Sequence, residues 1–268
     1  MSKMFCTKML ISWNIPLNIA TIFSNRQSNY LYYFHAMMDP LGQAMADFYY
    51  RRRPGKLWIL NKYGPKEEMP VAAYFRDYAQ MPELERTALQ LCKGKILDIG
   101  AGTGSHAWWL QQQGLDITAL EISSLACGVM HQRGIQKIIQ QDIFSYSAST
   151  YDTLLLLMNG IGLAGTLTGL NQFFQHAATL LNPGGQLLFD SSDVAYVYND
   201  HFPDLKKYYG EIAYRYQYKG KKTDWFNWLY ADRYTLSSVA ATAGWQASFI
   251  TEDENGQYLV KLQKVRLD

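Results

Sequence analysis

The sequence has few of the features that mark secreted, metal-binding or nucleic-acid-coating proteins. Its 268 residues include only three cysteines, which lie far apart and form no Cys-x-x-Cys pair, so neither a disulfide framework nor a zinc site is expected. The formal net charge is only +2, whereas a protein that coats nucleic acid needs a concentrated basic surface. No apolar run reaches the roughly 18 residues of a membrane-spanning helix. We therefore expect a cytoplasmic protein with no nucleic-acid or membrane partner and no metal; the oligomeric state stays open.

The first 38 residues carry a weaker pattern than the rest of the chain. Two lysines precede an apolar stretch, as in a signal peptide, but Asn14, Pro16 and Asn18 interrupt it and no small-residue cleavage site follows. Clear patterning begins near Asp39, so residues 1–38 are expected to form a leader of uncertain order. We expect residues 39–94 to form an N-terminal helical extension, with a helix over 71–92.

From Lys95 onward, short apolar runs alternate with helical segments. This order predicts a doubly wound, mostly parallel α/β sheet with helices on both faces. Near the C-terminus, two strand-like runs flank Asn255-Gly256, a dipeptide typical of β-hairpins, so an antiparallel hairpin is expected to close the sheet. The predicted strands are 96–99, 115–120, 136–140, 153–158, 186–189, 245–251 and 257–265.

A glycine-rich turn follows the first of these strands and opens a helix. It reads Asp98-Ile-Gly100-Ala101-Gly102-Thr-Gly104. Glycine lets the backbone turn sharply and approach a ligand closely. The dinucleotide fingerprint GxGxxG would need glycine at position 105, where this chain has Ser105. The spacing therefore disfavours a nicotinamide-dependent oxidoreductase, which remains an alternative.

Two further acids stand at the ends of the second and third strands. Glu121 lies 23 positions after Asp98, where a carboxylate can accept hydrogen bonds from both hydroxyls of a ribose. Asp142 can accept from an adenine amino group, with Ile122 or Ile143 packed on the ring. Taken singly, each acid is also explained as a helix cap, a solvated strand end or a turn former.

Together with the Leu181–Gly185 turn before the fifth strand, these residues resemble the class I S-adenosylmethionine-dependent methyltransferases over roughly residues 71–265. The resemblance implies a seven-stranded sheet of order 3-2-1-4-5-7-6 with strand seven antiparallel, and a cofactor-binding methyltransferase domain over 95–268. It implies a methyl transfer by in-line displacement to an acceptor that the sequence does not identify and that we expect to be a small molecule. A non-catalytic S-adenosylmethionine-binding protein is a further alternative. The residues expected to bind S-adenosylmethionine are Asp98, Gly100, Ala101, Gly102, Gly104, Glu121, Ile122, Asp142, Ile143 and Asn159.

Catalytic residues are harder to assign. Asn159, after the fourth strand, is a candidate for orienting the acceptor or the cofactor amino group, and a polar turn residue is an equally good explanation. His106 is a candidate base, although a buried packing histidine is more common. His201 and the run Asp190–Asp193 are further candidates. The Asn/Asp-Pro-Pro-aromatic run of enzymes that methylate exocyclic base amino groups is missing, which disfavours a DNA substrate.

Aromatic residues are concentrated late in the chain. A third of them lie between Tyr196 and Tyr234, where Tyr214, Tyr216 and Tyr218 alternate with polar residues. We expect a β-hairpin inserted at about 208–234. Its rings either cover the acceptor pocket or pack on the sheet or on a partner chain.

Overall fold

The computed structural model describes residues 39–198 and 207–265, so the leader predicted for 1–38 and the candidate His201 lie outside the described residues. None of the helices in these two ranges is both long and apolar enough to cross a bilayer. The helices are α1 (Pro40–Tyr49), α2 (Glu83–Leu91), α3 (Ser105–Gln112), α4 (Ser124–Gln132), α5 (Leu167–Thr179) and α6 (Arg233–Thr242). The strands are β1 (Leu57–Asn61), β2 (Glu67–Met69), β3 (Lys95–Ile99), β4 (Asp116–Glu121), β5 (Ile138–Gln140), β6 (Tyr151–Leu156), β7 (Leu181–Ser192), β8 (Glu211–Tyr218), β9 (Lys221–Lys222), β10 (Phe226–Leu229), β11 (Trp245–Glu252) and β12 (Gln257–Lys264).

Seven strands form the main sheet in the order β5-β4-β3-β6-β7-β12-β11. The strands β3 to β7 pair in parallel, and β12 pairs antiparallel with both β7 and β11. The predicted order 3-2-1-4-5-7-6 and the terminal hairpin are confirmed. The central strands are apolar on both faces because helices cover both sides; Ile96 and Leu97 of β3 are completely buried on opposite faces.

The fifth parallel strand is longer than predicted. It was expected at 186–189, but β7 begins at Leu181, which pairs with Tyr151. The register then shifts, and Gln186 pairs with Thr153. The Pro183-Gly184-Gly185 segment is thus an irregularity within the strand, where the prediction had a turn that ends before the strand begins.

The N-terminal extension is less helical than predicted. The single helix expected over 71–92 is wrong for its first half, which forms two 3-10 turns (Val71–Phe75 and Tyr78–Gln80) before α2. Pro82 explains the break, because proline restricts the preceding residue to an extended conformation and Met81 has φ −71° and ψ 142°. The strands β1 and β2 were not predicted at all.

These two strands join the predicted hairpin in a second, antiparallel sheet, which we call the roof sheet (β2-β1-β8-β10, with β9 paired to β8). The hairpin is present, and it turns at Lys219-Gly220, both with positive φ as type I′ turns require. Unexpectedly, β8 pairs along its other edge with β1, from the opposite end of the chain: Leu57 faces Tyr218 and Ile59 faces Tyr216.

Candidate active site

A cavity of about 700 Å³ lies between the carboxyl ends of β3, β4 and β6 and the roof sheet. Its size falls within the range of small-molecule sites, and open α/β sheets bind ligands at this edge. Nine of the ten residues predicted to bind the cofactor line it; Gly104 does not. The nine are Asp98, Gly100, Ala101, Gly102, Glu121, Ile122, Asp142, Ile143 and Asn159.

The glycine-rich turn bends the backbone away from the cavity and leaves open space in front of it. The amides of Gly100 and Ala101 both donate to the carbonyl of Leu120, at 2.9 and 3.1 Å. Gly100 has φ +70°, and a Cβ added there would meet no atom within 4 Å. Gly104 differs, because a Cβ there would approach Cγ of Met130 to 2.9 Å. The glycine at 104 therefore allows close packing of α3 on α4 and lies outside the cavity lining, so its predicted contact with the cofactor stays a prediction.

Glu121 ties the end of β4 to this turn. Its Oε2 accepts from the amide of Gly102 and its Oε1 from the amide of Ser123, both at 2.8 Å. Burial raises the pKa of Glu121, and the two amide hydrogen bonds oppose that rise. A carboxylate oxygen can accept about two hydrogen bonds, so both oxygens keep capacity for a pair of ligand hydroxyls.

Asp98 is the least satisfied acid of the site. It is 2% exposed, and its Oδ2 has no hydrogen-bond partner within the described part of the chain. Burial raises its pKa to about 6, opposed by the charge of His106 and a backbone hydrogen bond from Ala107. A buried, unpartnered carboxylate oxygen beside a cavity is costly unless a donor arrives from the ligand. An amino group of the ligand fits this position.

Asp142 and the two isoleucines stand at the far side of the cavity. Oδ1 of Asp142 accepts from the amide of Phe144 at 3.0 Å, which holds the carboxylate at the end of the short strand β5. Ile122 is 63% exposed, whereas Ile143 is 6% exposed and belongs to the core. Of the two residues predicted to pack on an adenine ring, Ile122 therefore has the freer surface.

Hydrogen bonds to its backbone and to its side chain hold Asn159 in place. Its backbone N–H donates to both carboxylate oxygens of Asp190, at 3.0 and 2.9 Å. Its side-chain Oδ1 accepts from Oγ of Ser192 at 3.0 Å. Asn159 has φ 54° and lines the cavity, with its side-chain NH₂ left to donate. Asp190 itself is fully buried behind it and does not line the cavity.

His106 lines the cavity, and one of its ring nitrogens is engaged by a neighbouring acid. Its Nε2 lies 3.0 Å from Oε2 of Glu85, whose other oxygen pairs with Arg76 at 2.6 Å. Burial lowers the pKa of His106, but the hydrogen bond to Glu85 and the charges of Asp98, Glu85 and Asp190 outweigh it, so the net pKa is raised. The role of base predicted for His106 stays a prediction.

The roof sheet supplies the rest of the wall, much of which the sequence did not reveal. The ring centroids of Tyr216 and Phe226 lie 5.2 Å apart, and those of Phe226 and Trp228 lie 6.3 Å apart. The aromatic alternation pointed to these side chains and to Tyr214 and Tyr230. No sequence signal pointed to the wall residues from the N-terminal extension: Ile59, Met69, Tyr74 and, from α1, Leu41 and Met45.

Comparison with known proteins identifies the family. A family model described as a methyltransferase domain matches residues 72–246. The chain is 43% identical to an S-adenosylmethionine-dependent methyltransferase from Bacteroides fragilis solved with S-adenosyl-L-homocysteine, with a TM-score of 0.80 over 86% of this chain and 97% of that chain. A search of curated proteins finds no match.

Two more distant structures share the fold alone. The CcbJ methyltransferase of Streptomyces caelestis is 14% identical, with a TM-score of 0.56 over 73% of this chain and 95% of that chain. An S-adenosylmethionine-dependent methyltransferase from Clostridium acetobutylicum is 12% identical, with a TM-score of 0.52 over 69% of this chain and 93% of that chain. The family match, the 43% identity and the strand order with its antiparallel hairpin leave no place for a nicotinamide-dependent oxidoreductase. The chain belongs to the class I S-adenosylmethionine-dependent methyltransferases.

Proposed function

We propose that this methyltransferase acts on a small-molecule acceptor held between the edge of the main sheet and the roof sheet. One observation carries the proposal: the same cavity is lined by Asp98, with its unpartnered oxygen, by the carboxylates of Glu121 and Asp142, and by the aromatic side chains of the roof sheet. The volume of about 700 Å³ is within the range of small-molecule sites.

The acidic part fits S-adenosylmethionine group by group. Asp98 offers a buried acceptor for the amino group, Glu121 has acceptor capacity for the two ribose hydroxyls, and Asp142 stands beside Ile122 for the adenine. The open space in front of Gly100 allows a ligand to approach the backbone closely. When bound, S-adenosylmethionine supplies a methyl group on a sulfonium sulfur, a good leaving group.

The protein's own contribution is positioning. The hydrogen bonds of Glu121 fix the turn, and those of Asn159 fix the loop after β6. Holding two reactants in line is worth up to about 7–11 kcal/mol in the best cases. The reaction therefore needs no dedicated base unless the acceptor must lose a proton in the transition state.

The surroundings of the site support a small acceptor and a reducing compartment. In residues 39–198 and 207–265, the cavity lining includes no lysine or arginine, which a nucleic-acid backbone would require. Cys92 and Cys127 are buried free thiols, as is usual in the cytoplasm. We therefore propose a cytoplasmic enzyme whose substrate is not a nucleic acid.

Two measurements test the proposal. Isothermal titration of the full chain with S-adenosylhomocysteine is expected to give a dissociation constant in the roughly micromolar range. Incubation with methyl-labelled S-adenosylmethionine and a metabolite extract, from which polymers have been removed, is expected to label a small molecule. No binding would refute the proposed cofactor site. Binding without transfer would leave a non-catalytic cofactor-binding protein, and label found only in added nucleic acid or protein would refute the small acceptor.

A further inference from the structure

We propose that the acceptor is an amine, which arrives as an ammonium ion and is methylated on nitrogen, and not a carboxylate, a phosphate or a hydroxyl group. This inference rests on the proposed function and deepens it by naming the substrate class. It follows from three properties of the cavity: its charge, its aromatic wall and its lack of a usable base.

The charge of the cavity disfavours anions. Its lining contains four carboxylates and, in the described ranges, no lysine or arginine: the acids are Asp39, Asp98, Glu121 and Asp142. Sites that bind carboxylates or phosphates use arginine or lysine, because charge-assisted hydrogen bonds offset the loss of water around the anion. An anionic acceptor would meet these four like charges and would find no arginine or lysine to pair with.

The basic residues of the roof are directed away from the cavity or are already engaged. Arg215 lies between Tyr214 and Tyr216 on β8, so strand alternation places it on the opposite face of the sheet. There its guanidinium stacks on Trp225 at 4.6 Å, and Nζ of Lys62 lies 5.4 Å from the same ring. These cations therefore do not provide a binding site for an anion inside the cavity.

The aromatic wall, in contrast, favours a cation. Tyr214 and Tyr230 meet edge to face with ring centroids 6.4 Å apart, and both line the cavity with Phe226 and Trp228. Aromatic faces attract ammonium ions, most strongly where water is excluded. Such a wall also stabilises an aromatic or aliphatic body attached to the amine.

A carboxylate stands on the same face of the roof. Glu67 is two positions from Met69, which lines the cavity, and side chains two apart on a strand share a face. Burial is the main cause of the raised pKa values of Tyr214 and Tyr230, and the negative charge of Glu67 adds to both. Glu67 is exposed and forms no ion pair with the described residues. It is thus placed to attract an ammonium ion to the aromatic wall.

The chemistry of the lining disfavours a hydroxyl acceptor. A hydroxyl needs a base to remove its proton as it attacks. Burial raises the pKa values of Tyr214, Tyr216 and Tyr230, which keeps these phenols protonated. Nε2 of His106 is already paired with Glu85 at 3.0 Å. Asp39 accepts hydrogen bonds from the amide of Gly42 and from Oγ of Ser123. The other three acids of the lining, Asp98, Glu121 and Asp142, are engaged by the cofactor under the proposed function.

An amine needs no base in the transition state. The ammonium acceptor first gives one proton to water at the cavity mouth, and the neutral nitrogen then presents its lone pair. The new nitrogen–carbon bond forms while the carbon–sulfur bond breaks with its electron pair on sulfur. The products are a methylammonium ion, S-adenosylhomocysteine and the one released proton, so atoms and charge balance.

The test compares three probes of similar shape and different charge. The full chain is first saturated with S-adenosylhomocysteine, and then titrated with 2-phenylethylamine, 2-phenylethanol and phenylacetate while tryptophan fluorescence and heat are recorded. We expect the amine to bind about threefold to tenfold more tightly than the alcohol, and the carboxylate to bind most weakly. An equal or reversed order, or no binding of the amine at concentrations up to about 10 mM, would overturn the inference.

Two variants separate charge from shape. Glu67→Gln is expected to weaken the binding of 2-phenylethylamine about threefold or more and to leave the affinity for 2-phenylethanol unchanged. Glu68→Gln is the matched control, since Glu68 is the next residue, lies on the opposite face and pairs with Lys56 at 2.6 Å. Glu68→Gln should change the affinity for neither probe. If Glu67→Gln and Glu68→Gln behave alike, the proposed role of Glu67 is wrong.

The labelled product gives an independent readout. Label transferred to the metabolite extract should stay on a cation-exchange resin at acidic pH and resist alkali, as a methylamine does. Label released by alkali as methanol would identify a methyl ester and overturn the inference. Failure of S-adenosylhomocysteine to bind in the first step would instead refute the proposed function, so the two failures are distinguishable.

Discussion

The edge of the main sheet and the roof sheet contribute to one cavity by different physical means. The edge presents carboxylates held by short-range backbone hydrogen bonds, as Glu121 is held by the amides of Gly102 and Ser123. The roof presents rings held by packing and by pairing between distant strands, as Ile59 pairs with Tyr216. Under the proposed function, this difference means that cofactor binding and acceptor binding have separate structural supports. Changes at the edge should alter the first, and changes in the roof should alter the second.

Glu121→Ala should produce the largest effect. It removes two charge-assisted hydrogen bonds that hold the turn and leaves the amide of Gly102 without its acceptor, together worth about 3–6 kcal/mol. We expect the affinity for S-adenosylhomocysteine, measured by calorimetry, to fall by about 100-fold or more. The control is Asp116→Ala, at the exposed opposite end of β4, where the acid pairs with Lys137. An affinity of Glu121→Ala within about threefold of the control would contradict the assignment.

Gly100→Ala should come next. Its φ of +70° strains any residue with a Cβ by about 1 kcal/mol, and that Cβ would project into the open space of the cavity. We expect at least a tenfold loss of affinity for S-adenosylhomocysteine. Gly114→Ala is the matched control, because Gly114 has φ +76°, equally open surroundings and no place in the cavity lining. Both variants should lose similar stability in thermal unfolding, but only Gly100→Ala should lose binding.

Asp98→Asn should remove a pH dependence. Burial raises the pKa of Asp98 to about 6, above its ordinary 3.8, so the free protein holds the carboxyl protonated at pH 5 and ionised at pH 7. Only the ionised form attracts the amino group of the ligand, so affinity should rise by about tenfold between pH 5 and pH 7. The free protein should lose stability as pH rises from about 4 to about 6, since folding disfavours the ionised form.

The other groups near Asp98 define the control. The charge of His106 acts on Asp98, and Glu85 and Asp190 act in turn on His106. Burial also raises the pKa of Asp190 to about 6. All three remain in Asp98→Asn, so any slope that survives in a plot of log affinity against pH belongs to them. A variant with the full slope of the unmodified protein would remove Asp98 from the cofactor site.

Phe226→Ala should have the smallest effect on the cofactor. It removes ring contacts with Tyr216 and Trp228 in the roof and none with the glycine-rich turn. We expect the affinity for S-adenosylhomocysteine to stay within about threefold of the unmodified protein, and that for 2-phenylethylamine to fall about fivefold. Thermal unfolding checks that the roof remains folded. Equal losses for both ligands would show that the two parts of the cavity are not independent.

The features that the sequence predicted correctly are those encoded locally. The strand order and the terminal hairpin follow from alternating apolar segments and an Asn-Gly turn. Asp98, Glu121 and Asp142 line one cavity because each follows its own strand, and their contacts with the cofactor stay predictions. Gly104 lies outside the cavity lining, because spacing alone does not distinguish a glycine that faces a cavity from one that packs against Met130. The helix over 71–92 was overextended because the constraint from Pro82 acts on its neighbour.

The roof sheet was not predicted because its pairing is non-local. The strand β1 is short and half-buried, and nothing within residues 57–61 indicates that it pairs with β8. The face on which Glu67 lies depends on that register, since a slip of one residue would move it to the outer side. The orientation of the acceptor wall therefore emerges only from the assembled sheet.

The two-part origin of the roof limits how acceptor preference can be exchanged between relatives. A chimera that received only a foreign 208–234 segment would set new side chains against the native β1, where Leu57 and Ile59 face Tyr218 and Tyr216. Mismatched neighbours across strands weaken a sheet and expose its edges. Residues 57–75 would have to be transplanted together with the insertion. Under the proposed function, a change of acceptor preference therefore requires both segments to be exchanged at once.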